Sequence, residues 1–102
     1  MAKTPEQLSC DAHDASREAH DVHENKVSKN TDPKDTDFRA AAKAHQDAAD
    51  AHDKAAQGHF DKATTAKGHD GTLAWQKGSD HRAMQEQHSH QAKELADRAD
   101  NL

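Results

Sequence analysis

Seven of the ten histidines in this 102-residue chain fall on a spacing of seven residues. His13 and His20 form a pair, His45, His52 and His59 a triplet, and His81 and His88 a second pair. Seven residues make two helical turns, so each set stacks on one helix face with steps of ~10 Å. Alanine crowds the same faces. Histidine costs helix propensity relative to alanine, so its regular placement needs an offsetting interaction. The pattern predicts long helices, and no alternating β-branched or aromatic run argues for a strand.

Bulk is scarce. The chain has four leucines, two valines, two phenylalanines, two methionines and one tryptophan, and most of its 31% hydrophobic fraction is alanine. A monomer of this composition cannot bury a sizeable aliphatic core. It is left with disorder, with close helix packing through alanine, or with apolar surface shared between copies. Defined caps and two clear turn signals favour a folded chain and a single domain over 1–102.

The punctuation predicts three helices, over about 5–28, 33–67 and 72–101. Thr4 is a good N-cap, Pro5 suits the first turn, and Gln7 completes a capping box with Thr4. Leu8, Ala12, Ala15, Ala19 and Val22 follow at alternating steps of four and three, a narrow packing seam. The segment 28–33 holds the first turn. Helix two starts at Pro33 with Asp32 as N-cap and Asp35 at the third position, or else at Thr36. Its alanines, among them Ala49 and Ala56, surround His45, His52 and His59. Residues 68–71 form the second turn, and Gly78-Ser79-Asp80 is a possible interruption of helix three. The seam of that helix is His81, Met84, His88, Ala92, Leu95, Ala99 and Leu102. Its histidine register runs on into leucine, which argues that the histidine face points inward. The expected fold is all-α: an antiparallel three-helix bundle, or a helical hairpin with a third helix, with Ala/His packing seams.

Folding three helices up-down-up arranges the histidines in layers. His20 faces His45 near Leu95, His13 meets His52 and His88 in the middle, and His59 meets His81 near Glu6. Three imidazoles in the middle layer suit one zinc, nickel or copper ion with a fourth position open. The candidate metal ligands are therefore His13, His52 and His88, with His20 and His45 beside them. The competing reading is structural. Imidazoles fill alanine grooves, pair across helices and set the register, with no cofactor. The seams themselves, with His59, His81, Met84 and Leu95, are then the helix-packing interface. No His-Glu-x-x-His or glycine-rich phosphate loop is present. Cys10 is the only cysteine, and it reads as a small packing residue rather than a nucleophile. Trp75, Phe38 and Phe60 read as caps of the bundle ends. No enzymatic activity is expected.

Formal charge is −5 with neutral histidines, and protonating all ten moves it to about +5. A net acidic chain without basic–aromatic interleaving is not expected to bind nucleic acid. The charge change leaves open a pocket for a small anionic ligand held by protonated histidines. No apolar run marks a leader or a membrane span, so a cytoplasmic chain without membrane partners is expected. Weak burial per alanine predicts a homo-oligomer or docking on a larger assembly. Stacked imidazoles predict that this assembly is acid-sensitive.

The run from Ala41 to Ala56, with His45 and His52 within it, resembles the Ala/His heptads of small helical proteins of phages and prophages. The resemblance covers about the middle third of the chain. It implies an accessory or virion-associated interaction protein, and it brings no catalytic residues.

Overall fold

The computed structural model describes residues 3–66 and 68–102. Among them the chain is all-helical, with no strand. Helix α1 spans Pro5–His23 and runs on into a π-helical turn, Glu24–Ser28; α2 spans Asp35–Thr65 and α3 spans His69–Asp100. The resulting bundle measures 53 × 22 × 21 Å.

Local chemistry sets the helix ends. The Thr4 hydroxyl accepts from the Gln7 backbone N–H at 3.2 Å, while the Gln7 side chain accepts from the Thr4 N–H at 2.9 Å. This reciprocal box satisfies two of the donors that a helix start leaves free. Helix α2 begins at Asp35, one residue before the alternative start at Thr36 and later than Pro33, and Asp32 is not its cap. The Asp32 N–H donates instead to the Asn30 side chain at 3.0 Å, closing a turn ahead of Pro33. Asp37 then serves the helix start, accepting from the Lys34 N–H at 3.0 Å and from the Asn30 amide at 3.2 Å. Asp35 does not occupy that role. The α2 helix ends at Thr65, and Lys67, its expected end, lies outside the described residues. Gly68 takes a φ of +64°, a conformation open to glycine, so α3 starts at His69 rather than Thr72.

The expected break at Gly78-Ser79-Asp80 does not occur, because Gly78 makes a contact instead of a turn. It is buried, and a Cβ there would lie 2.7 Å from the Phe60 ring. Phe60 is held from its other sides by Trp75, ring centres 4.9 Å apart, and by the Arg82 guanidinium at 5.9 Å. At the opposite end Phe38 packs with Val27, Ala41, Leu95 and Ala99, and Val22 and Ala42 flank them. The aromatic residues thus sit at the two ends, as expected, although Trp75 itself is 59% exposed.

Between these ends the helices touch through alanine. Ala12, Ala19, Ala48, Ala49, Ala55, Ala56, Ala74 and Ala92 are buried. Helix α2 lies against both other helices, whereas the backbones of α1 and α3 stay apart and meet through side chains. The space left along that line is filled by imidazoles.

Gly78→Ala tests the close contact. Alanine should gain about 1 kcal/mol of helix propensity there, yet the variant is expected to unfold at lower urea than the parent, because the added Cβ meets the Phe60 ring at 2.7 Å while Trp75 and Arg82 pack against it. In a Phe60→Leu background the same change should become stabilising.

Candidate functional site

The candidate site is the axis of the bundle. His45 and His52 are 0% exposed, and His59, His81 and His88 are also buried. A neutral imidazole has one N–H donor and one bare nitrogen acceptor, and either one left unpaired inside a protein costs about 1–3 kcal/mol. Among the described residues no buried side-chain nitrogen or oxygen lacks a hydrogen-bond partner.

The pairing follows one continuous path. His23 Nδ1 meets His45 Nε2 at 2.9 Å, and His45 Nδ1 meets His88 Nδ1 at 2.8 Å. His88 Nε2 reaches the Ser16 hydroxyl at 2.9 Å, which also contacts His52 Nε2 at 2.6 Å. His52 Nδ1 meets His81 Nδ1 at 2.7 Å. His81 Nε2 reaches the Ser9 hydroxyl at 2.8 Å, and Ser9 contacts His59 Nε2 at 2.7 Å. Six histidines and two serines are thereby joined by seven hydrogen bonds.

Each helix supplies one column at seven-residue steps: Ser9, Ser16 and His23 from α1, His45, His52 and His59 from α2, and His81 and His88 from α3, continued by Leu95. Rings also stack within the spine. His52 lies parallel to His88 with centroids 5.6 Å apart, and His59 lies parallel to His81 at the same separation.

Burial is the first cause holding these imidazoles neutral, since it disfavours the charged form. It lowers His45 and His52 to about 4 from the usual 6.5. Neighbouring histidines add to the effect: His88, His23 and His20 around His45, and His81, His88 and His13 around His52. Burial likewise lowers His23, His59, His81 and His88. Asp80 opposes the shift at His81, as Glu6 does at His59 and Glu94 at His23.

The α2 and α3 histidines meet in the expected layers, but α1 contributes differently. His13 and His20 are exposed at the rim and do not converge inward. The His13 ring lies 6.0 Å from His52 and 5.4 Å from His81, and the His20 ring lies 6.1 Å from His45 and 5.8 Å from His88. The inward α1 positions are taken instead by Ser9, Ser16 and His23. Ser9 and Ser16 carry no mark of this role in the sequence apart from their seven-residue spacing, which His23 continues, and His23, which shares a helix face with His20, turns to His45 rather than to a surface ion.

The three-imidazole metal site is not assembled. His52 and His88 present parallel faces to each other, and their nitrogens are taken by Ser16, His81 and His45. The nitrogen pairs of the spine, 2.7–2.9 Å apart, are also too close for an ion. Two nitrogens on one tetrahedral zinc, each at ~2.0–2.1 Å, stand roughly 3.4 Å apart. Among the described residues no group of three or more His, Cys, Asp or Glu side chains is placed to hold a metal.

Of the expected packing residues, Ala12, Ala19, Ala49, Ala56, His59, His81 and Leu95 are buried. Leu8, Ala15 and Val22 are half-buried. Met84 is exposed, because it faces the line where the α1 and α3 backbones diverge. Cys10 is exposed too, and is not a packing residue. Beside Met84 a groove of about 520 Å³ opens, with Glu6, His13 and Lys77 on its lining and Ser9, His59 and His81 from the spine.

The chain matches no family model, no curated protein and no solved structure with which it was compared.

Ser16→Ala should leave one nitrogen each of His52 and His88 without its partner. It is expected to lower unfolding stability by about 1–3 kcal/mol per nitrogen, measured by urea unfolding at pH 7.5. Ser79→Ala, at an exposed position of α3, is the control and should stay within about 0.5 kcal/mol of the parent.

Proposed function

We propose that this chain is a non-enzymatic helical interaction protein that assembles with further copies of itself, and that acid dismantles it. The three helices alternate in direction: α1 numbers rise as their α2 partners fall, from Ser9–His59 through Ser16–His52 to His23–His45. The observation that carries the reading is the division of side chains between inside and outside. The axis is given to imidazoles that pair with one another and with serine, so that within the spine only the outer nitrogens of His23 and His59 are not spent on these bonds. Most large apolar side chains of α3 point outward instead: Leu73, Trp75 and Met84 are exposed, as is Leu102 just beyond its end.

Self-association supplies the burial that a single copy lacks. Each alanine removes little area from water at roughly 25 cal/mol per Å². Leu73 and Met84 lie eleven residues apart and so share one face of α3, and covering that face with a second copy adds hydrophobic contribution missing from the axis. The resemblance to phage-encoded Ala/His proteins supports the same class of role, a component of a larger protein particle. Among the described residues no helix is long and apolar enough to cross a membrane.

The direction of the pH effect follows from the lowered histidines. The unfolded chain takes up protons near 6.5, whereas folded His45 and His52 resist until about 4. Stability is therefore fully present above about pH 6.5 and declines as pH falls from there toward 4. Exposed carboxylates of the ion pairs contribute little to that change.

Sedimentation velocity and circular dichroism at pH 7.5 and pH 5 test the reading together. At pH 7.5 the protein should sediment as a helical oligomer, and Leu73→Lys with Met84→Lys should yield a helical monomer. At pH 5 the parent should lose both oligomer and helix signal. A parent that is monomeric at pH 7.5, at tens of micromolar, contradicts the assembly reading. Helicity unchanged from pH 7.5 to 4 contradicts the acid response.

A further inference from the structure

The hydrogen-bonded path from His23 to His59 has a property that its separate bonds do not. Two neutral imidazoles facing each other through nitrogen can share only one proton, so if one donates the other accepts. Each neutral ring then carries its proton on one nitrogen only, which determines what its other nitrogen does at the next bond. Serine passes the constraint on when its hydroxyl accepts from one histidine and donates to the next. We propose that the spine is a single polarised relay, in which the hydrogen-bond direction at His23 sets the tautomer of every histidine as far as His59 in the groove.

With each serine proton spent inside the spine, two polarities satisfy every bond; a serine that accepts from both of its histidines would instead uncouple the rings on its two sides. In the first, His59 Nε2–H donates to Ser9, Ser9 to His81 Nε2, and His81 Nδ1–H to His52 Nδ1. His52 Nε2–H then donates to Ser16, Ser16 to His88 Nε2, His88 Nδ1–H to His45 Nδ1, and His45 Nε2–H to His23 Nδ1. In the second polarity every donor and acceptor exchange roles. The two serines and six imidazoles hold eight such protons in either case. Going from the first polarity to the second releases one proton from His23 Nε2 and takes up one at His59 Nδ1, with one proton shifting across each of the seven bonds. No redox partner or co-reactant enters.

The relay joins two distinct environments. His23 is half-buried beside His20, Arg98 and Glu94, near the first turn. His59 lies at the groove end, facing Glu6, Lys62 and Lys77. His45 and His59 alone are separated by two heptads of α2, ~21 Å along the helix. A hydrogen-bond donor or acceptor that engages one end thus selects the proton arrangement at the other without moving the backbone. His52 stacks on His88, and His59 on His81, alongside the hydrogen-bonded path.

Nitrogen-15 spectra of histidine-labelled protein at about pH 8, where the imidazoles are neutral, read the tautomers directly. In the parent, His45 and His52 should show one common Nε2–H fraction, and His81 and His88 its complement. The decisive comparison is His52 with His88, whose only hydrogen-bonded link is Ser16. His23→Asp places a pure acceptor at the first-turn end and should drive His45 and His52 to Nε2–H and His81 and His88 to Nδ1–H. His59→Glu places the acceptor at the groove end and should produce the reverse at all four. Ser16→Ala in the His23→Asp background should leave His81 and His52 free of the imposed pattern. The proposal is overturned if His52 and His88 vary independently in the parent, a result that needs no variant to fold. It is equally overturned if both acceptor variants, verified helical by circular dichroism, give one pattern or change only the nearest ring.

Discussion

A buried neutral imidazole must satisfy a donor and an acceptor at the same time, about 2 Å apart on a rigid ring. That requirement organises this bundle. Five histidines are buried along its axis, and none can meet both needs from its own helix, whose backbone groups are already paired. Each therefore reaches across to another helix. The α1 serines are short enough to leave room for two rings per layer, and each hydroxyl serves two imidazoles at once. The alanine faces follow from the same demand, because only small side chains bring the helices near enough for rings to bridge them.

The arrangement gives specificity more readily than stability. Hydrogen bonds contribute about 1 kcal/mol each once the lost bonds to water are counted, and an unmade one costs more. A slip of α3 by one turn against α2 would strand several imidazole nitrogens together, so the paired spine penalises wrong registers strongly while adding little over a well-packed aliphatic core. The apolar contribution is confined to the ends, where Phe38 with Leu95 and Phe60 with Gly78 close the bundle. Leu73, Trp75 and Met84 are left on the outside, where the proposed association would draw on them. In the proposed acid response, the same neutral imidazoles that hold the register are the groups that protons would charge.

Much of the fold was legible in the heptads. Repeated His and Ala at helical spacing, the Thr4–Gln7 box and the glycine at 68 specify three helices and the facing of His52 on His88 and His59 on His81. The hidden part was the α1 contribution. His13 and His20 stand out in the sequence as large residues at heptad spacing, whereas the inward α1 positions belong to Ser9, Ser16 and His23. Serine carries no hydrophobic signal, and its value emerges only when two imidazoles from other helices converge on it. Gly78 was misleading for a related reason. Glycine inside a helix reads as a break until the Phe60 ring that needs the space is known. The helix-two start also depended on a side-chain choice, Asn30 engaging Asp32 and Asp37, that composition does not rank.

The direct test of the paired spine is through-bond nitrogen–nitrogen coupling between imidazoles in labelled protein at neutral pH. The structure predicts one coupling between His45 Nδ1 and His88 Nδ1 and another between His52 Nδ1 and His81 Nδ1, each through a proton protected from solvent exchange. Absence of both couplings, with those ring protons exchanging freely with water, would show that the histidines are hydrated rather than joined and would contradict the account.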